Sequence, residues 1–162
     1  MGTMHNVKAA YTATEWAARE SYYVDAANKI DIPSDPMPRD VKHIISQLDT
    51  LISEALLDYS YVRRAFSKAE NVMKLATTET FSIVKANNSA SNKLTADDVK
   101  SLVVSYLRKN PLPGYKICIY DLVANYEDRQ IFMQEMVRML QGKKEALITD
   151  TAMIKIESNL TP

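Results

Sequence analysis

Three glycines among 162 residues, Gly2, Gly114 and Gly142, are too few and too widely spaced for either a Walker-type phosphate loop or a dinucleotide fingerprint. Both motifs need clustered glycines so that backbone can approach phosphate closely, and nucleotide chemistry through them is excluded. Cysteine is scarcer still. Cys118 stands alone, which forbids an intrachain disulfide, fits a reducing compartment and is expected to be a buried structural thiol. The two histidines, His5 and His43, have no histidine or cysteine at ligand spacing, so no zinc site is expected. No apolar run approaches the roughly 18 residues needed to cross a bilayer. Met1 to Asn6 shows neither a basic and apolar export signal nor the hydroxyl residue of a myristoylation signal. A cytoplasmic protein without a membrane partner is the expectation. Net charge is absent too: 20 basic residues balance 20 acidic ones, so no global field attracts nucleic acid or acidic lipid.

Catalytic constellations are equally sparse. Nothing local brings Cys118 or a serine to a histidine base. The carboxylate pairs Asp97-Asp98 and Glu127-Asp128 are sequence neighbours, which a helix points about 100° apart, and helix capping or a solvated face accounts for them. The chain is therefore expected to be nonenzymatic, with no cofactor and no metal.

What the chain does have is an uninterrupted helical stretch. From Arg39 to Asn110 there are 72 residues without glycine or proline. Within it Val41, Ile44, Leu48, Leu51, Ala55, Tyr59, Val62, Phe66, Ala69, Met73, Ala76, Thr80 and Ile83 follow at steps of three or four. A helix on that seam would span roughly 64 Å at ~1.5 Å per residue and cannot bury its stripe alone. It needs a returning helix, a partner chain, or both. Two consecutive fours, Leu51 to Ala55 to Tyr59, predict a stutter that relaxes a left-handed supercoil near Ala55.

The remaining elements follow from caps and breakers. Thr12 and Glu15 have capping-box spacing, predicting a first helix from about Ala13 to Lys29. Three prolines in Ile32 to Pro38 then make a linker. Asn87 to Asn92 is a run of turn formers that ends the long helix near Ala86. Thr95 starts a short helix to about Arg108, carried by Val99, Leu102, Val103, Tyr106 and Leu107. A second long element runs from Lys116 to Ser158 on Ile119, Val123, Tyr126, Gln130, Met133, Val137 and Leu140, passing through Gly142. Residues 152–157 alternate and fit either the end of that helix or a terminal strand. The expected fold is all-α: a long antiparallel helical hairpin over residues 39–162, with a short intervening helix. Residues 1–38 form an N-terminal helical arm with its proline linker, able to dock on its own chain or on a neighbour's. A homo-oligomer is expected.

Charge is unevenly distributed. Residues 1–58 hold 5 basic and 9 acidic side chains, residues 59–93 hold 6 and 2, and residues 94–162 hold 9 and 9. Within the basic segment Arg63, Lys74 and Lys85 are separated by 11 residues each, almost three full turns, so they share one stripe about 16 Å apart in steps. Arg64 and Lys68 widen it. Such a stripe fits the phosphates of a nucleic acid, with Tyr59, Tyr61 or Tyr115-Lys116 as stacking surface for a single strand. It equally fits a solvated helix face, where Glu70 and Lys74 would pair at i,i+4.

In layout the chain resembles small helical bacteriophage recombination mediators of the UvsY type. The likeness rests on the long helix containing Tyr59-Ser60-Tyr61-Val62-Arg63-Arg64-Ala65-Phe66 and on Leu94-Thr95-Ala96-Asp97-Asp98 after a polar turn. The returning segment Met139-Leu140-Gln141-Gly142-Lys143-Lys144-Glu145-Ala146-Leu147 completes it. It covers roughly residues 39–158. The resemblance implies an oligomeric accessory that binds single-stranded DNA and helps load a recombinase, in host cytoplasm. The same helices also suit a structural or adaptor protein, such as a small phage virion component or assembly factor, whose partners are other virion or assembly proteins.

Overall fold

The computed structural model describes residues 11–88 and 94–160, with the side chains of 154 and 156–160 left aside. Its described elements are α1 (Ala13–Lys29), α2 (Pro38–Asn87), α3 (Ala96–Lys109) and α4 (Ile119–Leu160). Among the described residues there is no strand, so the all-helical expectation holds and residues 152–157 continue α4. The predicted capping box at Thr12 forms, and the helix start expected at Thr95 is a capping box as well. Thr12 and Thr95 each accept from the third residue of their helix, Glu15 and Asp98, whose carboxylates accept from the cap backbone N–H in return. Pro38 opens α2, where its missing N–H costs nothing.

The chain divides into two compact units whose boundaries fall inside the long helices rather than at the prolines. One is Val62–Gln130. The other combines residues 11–61 with those from Ile131 onward. The connection Ile32 to Pro38 thus lies within a unit, joining α1 to the start of α2.

In the unit up to Tyr61 and from Ile131, α1 docks on its own chain. Trp16 is buried, with its ring edge-on to Phe132 at 5.9 Å. Lys143 Nζ donates to the Ala27 carbonyl, one of the carbonyls that the end of α1 leaves without an intrahelical partner. Lys144 pairs with Asp49, linking α4 to α2. The central contact is polar. Asp58, only 2% exposed, accepts from Tyr11 Oη, Tyr23 Oη and Arg19 Nε, each at 2.6 Å. Burial opposes the carboxylate's charge, but the three donors outweigh it and hold the Asp58 carboxyl below the usual aspartate range. The same burial and bonding push the Tyr23 phenol well up. The Arg19 guanidinium also lies over the Tyr22 and Tyr23 rings at 5.3 and 5.5 Å.

That network corrects the predicted seam. The buried positions of α2 from Val41 to Ala69 are Val41, Ile44, Leu48, Leu51, Ala55, Asp58, Val62, Ala65 and Ala69, alternating threes and fours, with Ile52 buried beside Leu51; Ala76 and Thr80 are buried further along. Tyr59 and Phe66 are only half-buried, and Ile83 is 52% exposed. The stutter at Ala55 is absent from the buried register. A hydrophobic pattern skips Asp58 because aspartate is normally solvated, and three donors, Tyr11 just before α1 and Arg19 and Tyr23 on it, make its burial tolerable.

In the unit Val62–Gln130, α2, α3 and the start of α4 share a core. Ala65 and Ala69 pack with Tyr126, while further along α2 Ala76 packs with Ile119. Neighbours on α4 recede as α2 advances, so the two helices are antiparallel here. Val99, Val103 and Leu107 supply the buried face of α3, and Cys118 is buried as expected.

Gly142 sits inside α4, is exposed, and a Cβ there would meet nothing within 4 Å. Gly142→Ala is therefore expected to stabilise the chain by up to about 1 kcal/mol, because it removes only unfolded-state entropy. A lowered midpoint in urea denaturation would contradict an open helical site.

Candidate nucleic-acid interface

Arg63, Arg64, Lys68, Lys74 and Lys85 all lie on α2 within the unit Val62–Gln130, and all five are exposed. Their placement is a consequence of the core. Val62, Ala65, Ala69 and Ala76 face inward, so the intervening positions of a 3.6-residue helix must face out. Arg63, Lys74 and Lys85 hold the predicted stripe, since helix α2 is continuous across their two 11-residue intervals.

The unit that carries this face has an excess of basic residues, although Glu79 of α2 is also exposed. The unit Val62–Gln130 carries 11 basic and 7 acidic residues, whereas the other unit, taken from Ala10, carries 8 and 13. Three other cations of the basic unit are engaged. Lys100 lies 3.5 Å from Asp97, Arg108 lies over the Tyr120 ring and Arg129 over the Tyr126 ring. Among the described residues, none of the five α2 cations makes an ion pair. The anticipated Glu70–Lys74 pair does not form, and Glu70 is half-buried at the edge of the face. The hydroxyls nearby are occupied: Thr78 donates to the Lys74 carbonyl and Ser82 to the Thr78 carbonyl. An anion on this surface would be met by ammonium and guanidinium groups.

The stacking candidates fare unevenly. Tyr115 is half-buried against the cluster of Ala65, Ala69 and Tyr126, so its ring belongs to the core, although Lys116 is exposed. Tyr59 and Tyr61 fall in the other unit, half-buried and 45% exposed respectively. Another aromatic, Tyr106, is expected only as part of the apolar stripe of α3. It is 48% exposed, as is Leu102 at 42%, whereas Val99, Val103 and Leu107 are buried. The apolar stripe of α3 is therefore wider than the face it buries. Six of the nine residues from Val99 to Leu107 are apolar, more than one narrow contact needs.

A cleft of about 280 Å³ lies beside that excess, lined by Val84 and Asn88 of α2's end and by Leu102, Tyr106 and Lys109 of α3 together with Asn110. His43 is exposed on α2, and among the described residues no group of three or more histidine, cysteine or acidic side chains is arranged to hold a metal. No described helix is long and apolar enough to cross a membrane. Comparison with protein-family models, curated proteins and solved structures finds no match to this chain.

Proposed function

We propose that this chain is a nonenzymatic, oligomeric binding protein that holds single-stranded DNA on the outer face of α2 and acts as a recombination accessory. The observation that carries the reading is the set of five exposed cations from Arg63 to Lys85, which make no ion pair among the described residues, in a unit with an excess of basic residues. Each lysine or arginine contributes modestly to phosphate binding, and displacement of counterions makes the sum strongly salt-dependent. Repetition around a homo-oligomer would raise a weak stripe to a useful avidity. The likeness to UvsY-type mediators supports the recombinase-loading role.

A structural or assembly role is the second reading, favoured by Leu56, Leu57 and Tyr61, which α2 exposes on consecutive turns of the acidic unit. Exposed apolar groups of this kind suit a protein partner. Fluorescence anisotropy of a labelled single strand across a salt series separates the two. The DNA reading expects binding that tightens at low salt, and Arg63→Ala with Lys74→Ala is expected to reduce the log–log salt slope by about 1.4, or ~0.7 per lost phosphate contact. Absence of binding by the folded protein at low salt would leave the assembly role standing.

A further inference from the structure

We infer that the cleft between the end of α2 and α3 receives a nucleobase of the strand whose phosphates lie along Arg63 to Lys85, with the base against the Tyr106 ring. This rests on the DNA reading and specifies where, beyond phosphate attraction, the strand is held. Leu102 and Tyr106 stand one turn apart on α3, and with Val84 they give the cleft an apolar side open to solvent. Among the described residues, none that lines it is acidic.

The polar rim is preorganised. Asn88 Nδ2 donates to the Val84 carbonyl and Asn110 Nδ2 to the Tyr106 carbonyl, each at 2.8 Å. Both amides are thereby held at the ends of their helices, which lowers the ordering cost of binding. The charge is complementary to a nucleotide. Lys109 lines the cleft, and Lys85, the last cation of the α2 stripe, follows Val84 and is exposed. A phosphate between them would leave its base within reach of an aromatic face. Every base presents such a face, so this contact favours single strands without selecting sequence.

The test compares two labelled single strands of equal length, one oligodeoxythymidylate and one abasic, by anisotropy with the full chain. They carry the same phosphates and differ only in bases. The wild type is expected to bind the thymidylate strand roughly tenfold more tightly. Tyr106→Ala is expected to remove that advantage while leaving the salt slope unchanged, and Tyr106→Phe, which keeps the ring, is expected to retain it. Equal affinity of the wild type for both strands, with Tyr106→Ala silent, overturns the cleft but leaves the α2 stripe standing and points to a protein occupant. Failure of either strand to bind overturns both.

Discussion

Asp58→Ala is expected to lower the stability of the unit that contains α1 by about 3 kcal/mol, the cost of leaving buried donors without their charged acceptor. The side chain of Arg19 is 35% exposed and recovers some hydration on losing its partner, which keeps the figure below the upper end for buried pairs. Tyr23 cannot recover in the same way, being fully buried. Trp16, the one tryptophan, is buried in the same unit and makes its fluorescence a local reporter during urea denaturation. A midpoint within error of the wild type would show that Asp58 does not hold α1.

The same contact predicts a dependence on pH. Because the folded-state carboxyl sits below the ordinary aspartate value, the unfolded chain binds the proton first as acid is added. The contribution is complete above the ordinary value of about 4 and disappears as pH falls through the lowered one. Asp98, held down by its bonds from Thr95, acts in the same direction as background. Stability at neutral pH should therefore exceed that near pH ~3, and Asp58→Asn should reduce the difference. An Asp58→Asn variant with the full wild-type pH dependence would assign the effect elsewhere.

Leu107→Ala is the second large effect. This side chain is 1% exposed in the core with Ala76, Val99, Val103 and Ile119, and its truncation is expected to cost about 3 kcal/mol in lost burial and residual cavity. Tyr106 is its immediate neighbour yet 48% exposed, so Tyr106→Ala should cost under about 1 kcal/mol. Urea midpoints followed by far-ultraviolet circular dichroism compare the two directly. Equal losses would mean that both residues belong to one core and that the cleft beside Tyr106 is closed.

The contrast between these neighbours shows where sequence reasoning stops. The helices were legible because their signals are local. Threonine caps paired with Glu15 and Asp98 marked two helix starts, prolines marked the connection before α2, and apolar spacing marked the long elements. The basic stripe was legible for the same reason, since an 11-residue interval has a known position on any continuous helix. Tyr106 and Leu107 are both apolar by pattern, and only the packing of α2 and α4 against α3 separates them. Asp58 was invisible for a stronger reason. Its partners Tyr11, Arg19 and Tyr23 lie 47, 39 and 35 residues away, beyond any local pattern.

By itself, then, the sequence determined that this chain is helical, where its helices begin, and that α2 carries a cationic stripe, because hydrogen-bond geometry, caps and periodicity act within a few residues. Only the tertiary structure decided that the stripe makes no ion pair among the described residues, that an aspartate completes the seam of α2, and that Tyr106 stays at the surface. Those outcomes depend on which distant groups meet, and burial is a property of that meeting rather than of any residue alone.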